Sequence, residues 1–303
     1  RNAQYDFLCG IAARNEQQTA ALFRNNDSAV VLVDMLERNN IPYRLKGGEK
    51  TFFTSRPVLD ITEIIRFINN PYDIDSFMAI YYKIGLYITK QTAEAACKIS
   101  LQRHITITDA LLGIDTGTQI SVNSKRNIQQ TAQLMRQAQS SSATEVLSII
   151  LHGMQYADYA HKNGLDENKY DILRMLARNV NSSAELIDRL SELSGIMAEH
   201  KDDSFSKFTL STVHSSKGLE YDCVYLLDVI DDVLPCITKD KLNDKEDIKQ
   251  YEEERRLFYV AVTRARKELY LFSCKGESSE FLDEIEKNLP IEYTDSNDIF
   301  FSL

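Results

Sequence analysis

Nowhere in its 303 residues does this chain contain a G-x-x-x-x-G-K-[ST] loop, which excludes self-sufficient triphosphate binding of the P-loop kind. Its five cysteines, Cys9, Cys97, Cys223, Cys236 and Cys274, are scattered, with no C-x-x-C and no histidine pairing at ligand spacing. They read as free thiols of a reducing cytosol, and no metal site is expected. No apolar run approaches the roughly 18 residues of a membrane span, and no signal peptide opens the chain. A cytoplasmic protein without a membrane partner is therefore expected. No repeat of fixed period and no long low-complexity tract appears. A generally basic coat is missing as well. The formal net charge is -10, so any polyanion site must be a local patch on an acidic body. The first residue is Arg1, and the sequence reads as though cut from a longer chain.

What is present is apolar residue in quantity, 43% of the chain, enough to bury a large core and build two domains. Near the start, Thr19–Phe23 is a short apolar run suited to a buried strand. It ends in the polar turn Arg24–Asp27, after which Ser28 is expected to cap a helix carrying Ala29, Leu32, Val33 and Leu36 on one face. Asn39-Asn40 ends that helix, and Ile41–Leu45 reads as the next strand. Strand, helix and strand in this order imply a parallel sheet.

From Pro57 to about Lys201 the pattern turns helical. Ile61, Ile64, Ile65 and Ile68 form one stripe, Asn69-Asn70-Pro71 stops it, and Ser142-x-x-Glu145 and Ser182-x-x-Glu185 read as capping boxes. After Asp203 strands return at Phe208–Val213, Cys223–Val229 and Leu269–Ser273, with a charged loop at Asp231–Gln250 and a helix at Tyr251–Arg266. The simplest architecture is one α/β domain, residues 1–115 and 206–303, split by an all-helical insertion at 116–205. Taken separately, the terminal sheet would have too few strands to stand alone.

Ligands of open parallel sheets bind at the carboxyl ends of strands. Two polar turns are expected at such ends: Arg24, after the first strand, and His214-Ser215-Ser216-Lys217-Gly218, after Phe208–Val213. Hydroxyls, amides and a lysine beside a glycine suit phosphates; an ordinary solvated turn is the plainer alternative, and Glu220 two residues on reads equally as a surface acid. On the Tyr251–Arg266 helix, Leu257, Val260 and Ala261 share a face that Arg264 continues. Such an arginine either snorkels to water or meets an anion, and in the second case its planar charge suits phosphoryl transfer. Phe23 is open in the same way, as a core aromatic or as a ring face for a purine.

Together these residues resemble the C-terminal half of superfamily 1 DNA helicases of the UvrD/Rep/PcrA type. Leu22-Phe23-Arg24-Asn25-Asn26 resembles the family's fourth motif. Ile41-Pro42-Tyr43 with Gly47-Gly48 and Phe52-Phe53-x-x-Arg56 resembles the segment after it. Thr212–Tyr221 resembles the fifth motif and Glu252–Ala265 the sixth. The resemblance implies a second RecA-like domain of the P-loop NTPase type, lacking the P-loop itself. It implies that Phe23 stacks on adenine, that Arg24 and Arg264 converge on the γ-phosphate, and that Glu220 binds the ribose. Thr212, His214 and Ser215 would contact the single strand, with Arg56 in another segment near DNA. ATP and Mg2+ would be held mainly by an N-terminal RecA-like domain, and the partners would be single-stranded and junction DNA with 3′→5′ travel. The insertion is shorter than in well-known relatives, and Tyr87-Ile88-Thr89 stands where many members carry Gly-Ile-Gly. Lys169–Arg178 resembles the accessory helix that packs near duplex DNA. Two further readings stay open: the helicase part of an AddA/RecB-like nuclease-helicase, and a non-catalytic DNA- or protein-binding scaffold.

Overall fold

The computed structural model describes residues 2–47, 50–113, 122–199, 205–273, 279–286, 292–293 and 299–302. They group into two compact units, Arg1–Thr51 with Leu193–Leu303, and Phe52–Glu192.

The first unit is α/β. Its strands are β1 (Thr19–Phe23), β2 (Arg44–Lys46), β3 (Phe208–Thr212), β4 (Tyr221–Leu226), β5 (Ala265–Leu271), β6 (Glu292–Tyr293) and β7 (Ile299–Ser302). They form one sheet in the order β2-β3-β1-β4-β5-β7-β6. The first five run parallel, and β7 and β6 extend the edge antiparallel. Every residue of β1 is buried, which is why its sequence, TAALF, is a continuous apolar run instead of an alternation.

One face of the sheet carries Ala20, Leu22, Val224, Leu226, Leu269 and Leu271, clustered with Tyr251, Phe258 and Ala261 of the helix Lys245–Val262. The other carries an aromatic set in which Tyr225 and Tyr270 stack at 4.7 Å and Phe7 meets Tyr225 edge-on at 6.0 Å. Phe7 comes from the helix Asn2–Ala13, which the sequence reading missed although Tyr5, Leu8, Cys9 and Ala12 repeat at helical spacing and are buried. The edge strands β6 and β7 were also unread.

Several boundaries shift, each for a local reason. The helix after β1 spans Asp27–Arg38 with Asn26 at its cap. Ser28 is inside it, and its hydroxyl donates to Asp228 at 2.6 Å. The charged loop ends early because Asp244 caps the helix Lys245–Val262 by accepting from the amides of Glu246 and Asp247. That helix stops at Val262, so Arg264 lies past its end and not on its stripe. Ser142 and Glu145 form the complete reciprocal box. At the second expected box Ser182 accepts from the Glu185 amide, but Glu185 turns to the amide of Asn181.

The second unit is helical, with Arg56–Asn69, Ile74–Ile80, Lys90–Arg103, Ile107–Gly113, Val122–Ala138, Ala143–Ser148, Tyr156–Lys162 and Asn168–Ala177 among its helices. The expected stripe of Ile61, Ile64, Ile65 and Ile68 is buried. Helices before residue 115 pack with later ones: the side-chain amide of Gln139 donates to the Ile68 carbonyl at 2.8 Å. At its centre Asp60 is buried, accepting from the Lys83 ammonium at 2.7 Å and the Tyr156 hydroxyl at 3.1 Å. Burial, followed by the Asp60 charge, pushes the Tyr156 phenol up.

Candidate functional site

Two groups of polar residues stand at opposite edges of the parallel sheet. At the carboxyl edge, the turn after β3 keeps its register because the Val213 amide donates to the Phe23 carbonyl at 2.9 Å. Thr212 accepts from the Ser215 amide at 3.1 Å and donates its hydroxyl to the Ser215 hydroxyl at 2.9 Å. Ser216 is buried, with its hydroxyl turned back to the Val213 carbonyl at 2.7 Å. This fixed turn leaves His214, Ser215 and Lys217 exposed. Beside it Gly47 has φ +74°, and a Cβ there would lie 2.2 Å from the Ser215 hydroxyl oxygen. Only glycine allows the two segments to approach so closely.

At the amino edge, Arg264 follows the helix Lys245–Val262 and precedes β5. Its Nε donates to the Val260 carbonyl at 2.9 Å, one Nη to the Leu219 carbonyl at 2.9 Å, and the other to the Thr263 hydroxyl at 3.0 Å. A guanidinium has five N–H donors. Among the described residues, Arg264 is thus oriented by three and keeps two for another acceptor. Glu220, on the same edge, pairs with Arg266 at 2.9 Å, both side chains being about half exposed. The single connection Val213–Glu220 joins the two edges.

The profile described as UvrD-like helicase C-terminal domain matches residues 8–276. The chain belongs to that family. It is similar to the ATP-dependent DNA helicase PcrA of Staphylococcus epidermidis (strain RP62A), 27% identical over 309 residues that cover 93% of this chain and 41% of the relative. The PcrA of Staphylococcus aureus (strain Mu50) is 26% identical over 299 residues, 90% of this chain and 40% of its own. The chain thus spans about two fifths of the length of these relatives.

Two of the residues carried over from the UvrD-like motifs are held differently here from what the resemblance implies. Phe23 is 0% exposed because it ends a strand flanked by β3 and β4, so it has no ring face to offer an adenine. Arg24 does not converge with Arg264. Its Nε bonds both carboxylate oxygens of Glu254 at 2.9 and 3.0 Å, and one Nη reaches Glu254 at 2.6 Å. Arg24 follows the carboxyl end of β1, whereas the Arg264 carbonyl accepts from Tyr221 at the amino end of β4, a strand parallel to β1. Glu254 itself sits eight residues, about 12 Å along the axis, before the helix's end at Val262. Sequence spacing could not show this, because adjacency to a strand end does not say which acid across the sheet face will claim the guanidinium.

The Glu254 hydrogen bonds, opposed by burial, hold the Arg24 guanidinium above its ordinary range. In this structure Arg24 is the counter-charge of Glu254. Glu254 is 3% exposed and also accepts from the Cys236 amide at 3.3 Å. Arg24→Ala would leave that carboxylate buried without its cation, and a third of the Arg24 side chain is in water. A stability loss of about 2–3 kcal/mol is expected, below the full cost of orphaning a buried charge, readable as a lower urea midpoint at constant slope. An unchanged midpoint would return Arg24 to the list of ligand-binding candidates.

Thr212, His214 and Ser215 share the carboxyl-edge turn, Glu220 and Arg264 the amino edge. Arg56 belongs to the helical unit, where its side chain is exposed and one Nη donates to the Tyr159 hydroxyl at 3.3 Å. Arg266, the partner of Glu220, escaped the sequence reading. Its signal is its position two residues after Arg264, at the start of β5.

Proposed function

We propose that this chain is the second RecA-like half of an ATP-dependent DNA helicase or translocase, with a helical accessory insertion at residues 116–205. The observation that carries this reading is Arg264, braced by two carbonyls and a hydroxyl with two N–H donors to spare, on the edge that also holds Glu220. An N-terminal RecA-like domain would hold the ATP phosphates and Mg2+. Arg264 would meet the γ-phosphate from across the cleft, and Glu220 the ribose in exchange for Arg266. Thr212, His214 and Ser215 present small polar donors at the other edge, suited to the backbone of a single strand and indifferent to its sequence. Closure is favoured only while an anion faces Arg264, so loss of the γ-phosphate opens the cleft and the strand advances. Travel 3′→5′, engagement of junction DNA and a cytoplasmic site of action belong to the same proposal.

The test is ATP hydrolysis by this chain alone and by the chain joined to its N-terminal domain. Alone it is expected to show no turnover; joined, it should show turnover stimulated by single-stranded DNA. Metal-dependent hydrolysis by the pure chain, or joined protein indifferent to DNA, would overturn the proposal.

A further inference from the structure

One surface of the helical unit displays tyrosines that its core does not explain. Tyr82 is 51% and Tyr87 67% exposed. Tyr82 meets the half-buried Tyr159 edge-on at 6.0 Å, and the hydroxyl of Tyr159 accepts from Arg56 at 3.3 Å. Tyr87 donates its hydroxyl to the side-chain carbonyl of Gln155 at 2.9 Å, and the Gly85 amide donates to the Met154 carbonyl at 2.9 Å. The segments around 82–87 and 154–159 are thereby joined.

The backbone beneath is strained in the same place. Tyr87 has φ 49° and Gln155 φ 60°, the left-handed region that residues other than glycine seldom adopt. A fixed platform follows. Lys83 packs under it with its ammonium 5.2 Å from the Tyr82 ring centre, tied to the buried Asp60. Half-exposed rings held in place by strained backbone serve a ligand better than they serve folding.

We propose that Tyr82, Tyr87 and Tyr159, with Arg56, form a stacking platform for unpaired bases of a single-stranded nucleic acid. The reading rests on the proposed DNA-translocase function only for the source of the strand. Flat rings accept any base on their faces, and the exposed Arg56 guanidinium, whose Nε lies 3.7 Å from the buried Asp60 carboxylate, has further donors for the phosphate between two bases. Charge supports the choice of ligand. Almost all of the chain's net charge of -10 belongs to residues 1–51 and 193–303, leaving the helical unit nearly neutral. Exposed Lys125 and Arg126 follow Ser124, whose hydroxyl donates to the Tyr87 carbonyl at 3.1 Å. The segment that bears these two cations is thus tied to the Tyr87 backbone.

The experiment measures fluorescence anisotropy of the full chain with a labelled oligothymidylate of about 12 nucleotides, within the usual span of such sites, and with an abasic strand of equal length. Tyr82→Ala and Tyr87→Ala should each weaken oligothymidylate binding at least about fivefold, the lower scale of one base–ring stack. Tyr82→Phe and Tyr87→Phe should bind as the unaltered chain does. On the abasic strand the alanine variants should match the unaltered chain. Arg56→Gln should weaken both strands and reduce the salt slope by about 1. Thermal melts report whether the variants remain folded, and the phenylalanine pair tests the rings without removing packing. Alanine variants that bind oligothymidylate like the unaltered chain, or equal affinity of that chain for both strands, would overturn the platform alone. Failure of the unaltered chain to bind either strand would overturn the platform and the single-strand reading together.

Discussion

Arg264→Ala, introduced into protein carrying both RecA-like domains, is expected to lower DNA-stimulated ATP turnover by about 10³-fold or more, the scale of an arginine finger. Nucleotide affinity should change little. The expectation follows from geometry as much as from residue type. Three of the five donors of Arg264 are spent on Val260, Leu219 and Thr263, so its direction is set before any ligand arrives, and positioned charge is what stabilises phosphoryl transfer. Arg264→Lys separates charge from direction. A lysine keeps the positive charge but cannot make those bonds and also point a planar fork, so most of the loss should persist. Steady-state hydrolysis with nucleotide binding measured in parallel decides the matter. Normal turnover in the alanine variant would remove Arg264 from the mechanism.

The second large effect concerns stability. Asp60→Ala is expected to cost about 3–5 kcal/mol, because it leaves a buried ammonium without a counter-charge. Lys83 and Asp60 are both under a tenth exposed, and Tyr156, wholly buried, loses the acceptor of its hydroxyl in the same change. The double variant Asp60→Leu with Lys83→Met should recover only part of the loss, since it removes the penalty of the lone charge but still leaves the Tyr156 hydroxyl without its acceptor. Urea unfolding of the helical unit reads both. A single variant within about 1 kcal/mol of the unaltered chain would mean that water reaches Lys83.

How far the sequence could be read depended on whether a property was local. The apolar run Thr19–Phe23, the box at Ser142 and Glu145, and the stop after Asn69 are set by neighbours in the chain, and each is found where spacing put it. The family was legible too, because its motifs are themselves short strings in fixed order. What was not legible needed contacts across the fold. The pairing of Arg24 with Glu254 could not be read, because the two stand 230 positions apart. Phe23 looked ambiguous because exposure at a strand end depends on which strands flank it. The Asp60–Lys83 pair gave no signal at all, since a buried acid and a surface acid are spelled alike.

The connection from β3 to β4 has one more consequence. From Val213 to Gly218 it turns, and two more residues, Leu219 and Glu220, bring it to the start of β4, so eight residues cover the return that a five-residue strand of roughly 16 Å requires. That is close to the height of the sheet it climbs, so the segment works as a ruler with no spare divisions. One residue added or removed there would slide Glu220 off its rim. Gaps in this stretch should therefore be nearly absent wherever chains of this kind are aligned, even where the letters themselves have drifted.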